Sequence, residues 1–200
     1  ALPPSTFLSL HGAELIVNLS ASNELIAKRE YRQELVRQQS ARCLCAYLYV
    51  SAGVGESTSD LVFSGHSMVA QCGGMGKENL AENYVLTADL DLDRIRGDRR
   101  EQTSFADAQA HYGTLEPVRR VSCPALMLAE SEPVELHVAK HPFIPADKAS
   151  RQTRCAQIFD MQATALARRL RITGGKLTVG ISGGLDSTLA LLAACRAMDM

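Results

Sequence analysis

Apolar positions change period several times along this chain, and each change marks an element. Over residues 3–12 they recur at helical spacing, with Pro3 and Pro4 at the start and Gly12 at the end, which predicts a short helix. The run Ala13-Glu14-Leu15-Ile16-Val17-Asn18-Leu19 reads as a strand buried on both sides from Leu15 to Val17. A polar loop, Ser20-Ala21-Ser22-Asn23, leads to a long helical pattern over 28–47, with Leu35, Val36 and Cys43 on its core side. Residues 46–51 read as a second strand, and 53–60 are rich in turn formers. A hairpin of 61–63 and 67–70 around Gly65, a glycine-rich turn over 71–76 and a strand over 83–92 complete this part.

The pattern then weakens. Residues 97–149 carry charge clusters and scattered prolines without a sustained period, and they read as a linker. An amphipathic helix follows over 151–170, with Cys155, Ile158, Phe159, Leu166 and Leu170 toward a core. Gly174-Gly175 should end it. An apolar strand over 176–181 and an apolar helix over 189–194 come next, and the pattern is still helical at Met200. Strands alternating with helices predict an α/β fold, and the abrupt ends suggest a central piece of a longer chain.

Composition narrows the function classes. With 46% hydrophobic and 22% charged residues, the 200-residue chain is ordinary for a globular protein that can bury a core. The 21 basic and 22 acidic residues leave a net charge of −1, which gives no electrostatic case for nucleic acid or a membrane surface. No apolar run reaches the roughly 18 residues of a membrane span, and no signal peptide is visible. The six cysteines form no C-x-x-C and no metal spacing, which fits free thiols in the cytoplasm. Cys43 and Cys45 fall inside a helical pattern, where side chains two apart face different ways, so no joint site is expected. His137 and His141 stand four apart, but Pro142 follows directly and no carboxylate completes a ligand set, so surface histidines are expected.

Candidate chemistry concentrates at Val179-Gly180-Ile181-Ser182-Gly183-Gly184-Leu185-Asp186-Ser187-Thr188. This is a strand-to-helix turn. Glycines let the backbone approach a ligand, and the first N–H groups of the helix lack internal partners, which makes an anion site. Ser182, Ser187 and Thr188 add hydroxyl donors. Asp186 would repel phosphate unless a divalent cation such as Mg²⁺ bridged the two. Neither G-x-x-x-x-G-K-[ST] nor G-x-G-x-x-G is present. Ser182-Gly183-Gly184-Leu185-Asp186-Ser187 resembles the S-G-G-x-D-S signature of pyrophosphate-loop ATP hydrolases, which adenylate a substrate and release pyrophosphate.

A wider resemblance rests on three stretches of the first half. They are Asn18-Leu19-Ser20-Ala21-Ser22, Gln39-Ser40-Ala41-Arg42 running into Ala46-Tyr47-Leu48-Tyr49, and 55–67 from Gly55-Glu56-Ser57-Thr58 to Gly65-His66-Ser67. They resemble the later half of a nitrilase-type glutaminase, while 157–162 and the helix leading to the S-G-G-x-D-S turn resemble the start of a synthetase domain. One family joins these pieces in this order, the glutamine-dependent NAD⁺ synthetases. The resemblance implies the end of a nitrilase-like αββα sandwich over 1–96, a linker over 97–149, and from 150 to 200 the start of a Rossmann-like adenine nucleotide hydrolase domain. It implies ATP-dependent amidation of deamido-NAD⁺ to NAD⁺ with ammonia from glutamine, releasing AMP and pyrophosphate. ATP and Mg²⁺ would be the cofactors and small molecules the partners, in a cytoplasmic homo-oligomer.

The same resemblance implies roles for individual residues. Gly180, Ile181, Ser182, Gly183, Gly184, Leu185, Asp186 and Ser187 would bind ATP, with Asp186 reaching the metal. Ser22 matches the family's glutamine-contacting serine. The position six residues on, usually arginine, is Lys28, with Arg29 beside it. Glu56 stays unassigned. The family's Glu–Lys–Cys constellation lies before a Pro-Pro-Ser helix start, so with Pro3-Pro4-Ser5 here it would fall upstream of Ala1. The alternatives are another pyrophosphate-loop amidotransferase, GMP-synthetase-like, and a non-catalytic assembly fragment.

Overall fold

The computed structural model describes residues 3–80, 84–112, 118–124, 134–136 and 138–200. The chain divides into two units, residues 1–137 and 138–200, and each is considered by itself.

The first unit is built around a mixed four-stranded sheet. Helix α1 (Pro4–Leu10) leads to β1 (Leu15–Ser20), α2 (Lys28–Arg42) and β2 (Ala46–Ser51). A 3-10 turn (Val54–Glu56) precedes β3 (Ser67–Gln71) and β4 (Gly74–Asn79). The sheet order is β1-β2-β3-β4. β1 and β2 are parallel, joined by the α2 crossover, with Leu15 opposite Ala46 and Ser20 opposite Ser51. β3 returns antiparallel to β2, and β4 antiparallel to β3 with a register shift between Met68 and Ala70.

Pleating divides the sheet into two faces. Ile16, Tyr47, Tyr49, Met68 and Ala70 point to one side and form a core with Val36 of α2 and the two cysteines Cys43 and Cys45. The other side carries Leu15, Val17, Leu19 and Val50, all exposed, with Val17 at 57% and Leu19 at 79%. β1 is therefore covered on one face, not on both as its apolar run suggests. The buried stripe of α2 is Arg32, Val36 and Ser40, whereas Leu35 is exposed.

Several elements differ from the sequence pattern for clear reasons. α2 stops at Arg42 because Leu44 takes a left-handed φ of 43° and turns the chain into β2. Cys43 and Cys45 thus leave the helical frame and face one core together, contrary to the expectation that they face apart. Of the expected hairpin, 61–63 have no ladder. The hairpin is formed by β3 and β4 across Cys72 and Gly73, through the segment expected to be only a glycine-rich turn. Gly73 has φ +84°, and a Cβ there would stand 3.0 Å from the Ala41 Cβ, so the turn needs glycine to lie against α2. Of the strand expected over 83–92, Asn83 lies outside the described residues, 84–91 form no strand, and Leu92 already begins a helix.

That helix, α3 (Leu92–Glu101), is followed by α4 (Thr103–Tyr112), so the stretch from residue 97 begins helical where a linker was expected. The two helices are anchored mainly by polar groups. Ile95 is fully buried. Gln71 brackets the backbone of Asp91, donating to its carbonyl at 2.7 Å and accepting from its N–H at 3.1 Å. Arg96 pairs with both carboxylate oxygens of Glu14 at 2.7 and 3.0 Å. The Arg99 guanidinium donates to the carbonyls of Leu44 (2.8 Å), Ala13 (2.7 Å) and Cys43 (3.3 Å) and to the Ser9 hydroxyl (3.0 Å).

The second unit is a helix pair. α5 (Lys148–Thr173) is capped by Asp147, whose carboxylate accepts from the N–H groups of Ala149 and Ser150, and it ends at left-handed Gly174. α6 (Leu185–Met198) packs on it through small residues. Ala163, Ala167 and Leu170 of α5 and Ala193, Ala194 and Ala197 of α6 are buried, with Leu166 against them. Cys155 and Ile158 are exposed and Phe159 is half-buried, so the contact face lies further along α5 than its apolar pattern suggests. The expected strand over 176–181 joins no ladder. A strand is defined by its partner, and none pairs with it among the described residues. No helix among the described residues is long and apolar enough to cross a membrane.

Candidate functional site

Ser22 and Lys28 lie where the C-terminal ends of β1 and β2 meet their loops. Ser22 is half-buried in the loop after β1, and Lys28 is the first residue of α2. Lys28 Nζ donates to Asn23 Oδ1 at 2.7 Å, which holds the lysine beside that loop. Arg29 beside it pairs with Glu78 at 2.6 Å. Ala27 enters α2 with a left-handed φ of 64°, a conformation that costs a non-glycine residue about 1–2 kcal/mol.

A buried polar network fixes this end of the unit. Arg32 is 4% exposed and donates to Glu24 Oε2 at 2.8 Å, to His66 Nδ1 at 3.0 Å and to the Ser64 hydroxyl at 3.5 Å. Arginine can only donate, so neutral His66 carries its proton on Nε2, which faces Glu78 Oε2 at 3.5 Å. Burial first, and the Arg32 charge second, push the His66 imidazole below its usual range. For Glu24, burial pulls upward, but Ser64 and Arg32 outweigh it and hold the carboxyl below its ordinary value. Gln33 and Arg29 do the same for Glu78. The network joins loop residue 24, α2, the 57–66 loop and β4. Tyr49 and Ser51 add hydroxyl oxygens buried without a hydrogen-bond partner in the same region of β2.

The expected ATP-binding residues are brought together in the second unit. Gly183 has φ +85°, a conformation that favours glycine, and Gly184 is the N-cap of α6 with no side chain closing that terminus. The N–H groups of Leu185, Asp186 and Ser187 are thus the free donors of the helix start. The Ser182 and Ser187 hydroxyls converge at 3.2 Å. Ser187 and Thr188 donate to the Gly184 carbonyl at 3.0 and 2.9 Å, which tightens the turn. Gly180, Ile181, Ser182 and Asp186 are exposed, and Leu185 is 90% exposed. The free N–H groups open onto the surface as donors of the kind an anion accepts from, and the seryl hydroxyls beside them would have to turn from their present partners to join them. Asp186, in the first turn of α6, is the one carboxylate there able to hold a cation.

The periodicity did not reveal Arg32, Glu24, His66 and Glu78. The signal that was available is the spacing Arg32–Val36–Ser40, four residues apart on the face that also carries buried Val36. No group of three or more potential metal ligands occurs among the described residues. His137, one of the spaced histidine pair, lies outside them.

Residues 4–100 match the carbon-nitrogen hydrolase family model. Proteins named glutamine-dependent NAD(+) synthetase from Mycobacterium tuberculosis and Mycobacterium leprae are 38% and 37% identical, over 99% of this chain and 30% of their own length. One from Thermotoga maritima is 30% identical over 98% of this chain and 32% of its own. The chain therefore spans about a third of the length of the relatives it matches. Residues 4–100 match the carbon-nitrogen hydrolase model, and along its length the chain is similar to a partial slice of the glutamine-dependent NAD(+) synthetases.

Proposed function

We propose that this chain is the middle of a glutamine-hydrolysing NAD⁺ synthetase, a carbon–nitrogen ligase that amidates deamido-NAD⁺ to NAD⁺ with ammonia released from glutamine. The observation that carries the ATP half is the 182–188 turn, where two seryl hydroxyls and three helix-start N–H groups meet beside one carboxylate. ATP adenylates the nicotinate carboxylate and expels pyrophosphate, which needs a donor-rich, cation-assisted cradle. The N–H groups of Leu185 to Ser187, with Ser182 and Ser187, would hold the pyrophosphate oxygens. Asp186 would hold Mg²⁺. In this reading 176–181 is the first strand of the Rossmann-like domain.

In the first unit, Ser22 and Lys28 would grip glutamine, and the Arg32 network would hold their loop in place. The exposed apolar face of Leu15, Val17 and Leu19 supports an αββα sandwich, in which a second sheet covers it. Cys43, Cys45 and Cys72 lie at the end of the sheet opposite Ser22. This supports placing the Glu–Lys–Cys constellation upstream of residue 1. A cytoplasmic homo-oligomer completes the proposal. The relatives' names do not favour a GMP-synthetase-like activity or a non-catalytic fragment.

The test supplies the full-length protein with deamido-NAD⁺, ATP and Mg²⁺, together with either glutamine or ammonium, and measures NAD⁺ by chromatography. Both nitrogen sources should give NAD⁺. If neither does, the proposal fails.

A further inference from the structure

The end of the first unit opposite Ser22 holds a second grouping of reactive side chains. Cys43 closes α2 and Cys45 immediately precedes β2. The left-handed turn at Leu44 between them brings both side chains into one core. A cavity of about 360 Å³ opens beside Cys43, walled by Thr6 and Leu10 of α1, Arg42 of α2, Gln102, and Phe105 and Ala108 of α4. It is large enough for several water-sized molecules. Gln39 Nε2 donates to the Cys43 sulfur at 3.2 Å.

We propose that Cys43 and Cys45 are a peroxide-oxidisable thiol pair, with Cys43 the sulfur attacked through this cavity and Cys45 the resolving thiol. The Cys43 thiolate attacks one oxygen of hydrogen peroxide, the O–O bond breaks, and hydroxide leaves to become water. Cys43 is then a sulfenic acid. The Cys45 sulfur displaces its hydroxyl group, the S–S bond forms, and the departing hydroxyl takes the Cys45 proton as a second water. Two thiols and one peroxide give one disulfide and two waters.

The surroundings suit these roles. The hydrogen bond from Cys45, with others from Thr6 and Gln39 and the nearby Arg99 charge, outweighs burial and brings the Cys43 thiol down to about 7. The hydrogen bond to Cys43 and burial both push the Cys45 thiol well up, so Cys45 stays the proton-bearing partner. Cys43 is buried, but it lines the cavity, and a low-pKa thiol that a small oxidant can reach beside a second cysteine is the arrangement of a redox-sensitive pair. Cys123, Cys155 and Cys195 are exposed but have no such setting, and they serve as internal controls.

The test treats the full-length protein carrying Cys72→Ser with hydrogen peroxide, blocks the remaining thiols and maps tryptic peptides by mass. The peptide 43–77 should lose two hydrogens at least about tenfold faster than Cys123, Cys155 or Cys195 is oxidised, and dithiothreitol should restore it. With Cys45→Ser added, dimedone should label Cys43. With Cys43→Ser instead, Cys45 should stay a free thiol. Ala108→Phe, with all native cysteines kept, should slow Cys43 oxidation about fivefold or more by filling the cavity. Oxidation of the exposed cysteines while peptide 43–77 stays reduced would overturn the proposal, as would dimedone labelling of Cys45 in the Cys43→Ser protein. Unchanged Cys43 kinetics in Ala108→Phe would overturn the cavity route.

Discussion

Removing Arg99 should loosen the whole strand-start end of the first unit. Its guanidinium is shared among four acceptors, Ser9 of α1 and three carbonyls of the α1–β1 and α2–β2 connections, at 2.7 to 3.3 Å, and lies 5.0 Å from the Phe105 ring centroid. A hydrogen bond to a charged donor contributes about 1.5–3 kcal/mol when deleted, and the four are not additive because they share one group. Cys43 O keeps its Ser9 hydrogen bond at 2.5 Å, and water entering the neighbouring cavity can hydrate some of the other carbonyls. The net cost of Arg99→Ala is therefore about 2–4 kcal/mol, not the sum of four bonds. Hydrogen–deuterium exchange reads this locally. Amides of β1 and β2 should exchange roughly 30- to 1,000-fold faster, while α5 and α6 are unaffected. Arg99→Lys should recover little, because one ammonium cannot reach four acceptors arranged around a planar fork. Acceleration below about fivefold in β1 and β2 would refute the view that this arginine ties the two connections together.

Other perturbations separate the remaining elements. Stability should decline as pH falls from about 6.5 through the lower folded value of His66, because the unfolded chain binds that proton first. Thermal melts between pH 7.5 and 5.5 should show the decline in the native protein and less of it in His66→Asn. Gly73→Ala should cost about 1–3 kcal/mol, seen as faster exchange in the β3–β4 hairpin, since both its φ of +84° and its 3.0 Å approach to Ala41 oppose a side chain. Lys28→Ala should raise the glutamine KM about tenfold without changing the ammonium KM. An equal rise for both would take Lys28 out of the glutamine site.

Strong local patterns carried the legible parts of the fold. The apolar runs at 15–19 and 46–51 located β1 and β2, and the two glycines at 174–175 located the end of α5. The S-G-G-L-D-S turn was legible because glycine at Gly183 meets a real backbone need. What was missed is held by polar side chains or by backbone alone. α3 was hidden because its buried apolar residue is Ile95, while Arg96 and Arg99, which read as surface charge, make its other anchors. β4, with the sequence GMGKEN, has no apolar alternation, and its pairing rests on the ladder to β3. Arg32 reads as a solvated helix residue until Glu24, His66 and Ser64, from loops before and after α2, are brought to it.

The most direct test of the central claim is Asp186→Ala in the full-length protein, assayed in parallel for glutamate release from glutamine and for NAD⁺ formation. The account predicts that synthesis is lost with both glutamine and ammonium while basal glutamine hydrolysis persists. If hydrolysis falls together with synthesis in a folded protein, or if synthesis survives, the assignment of ATP chemistry to the 180–187 turn is wrong.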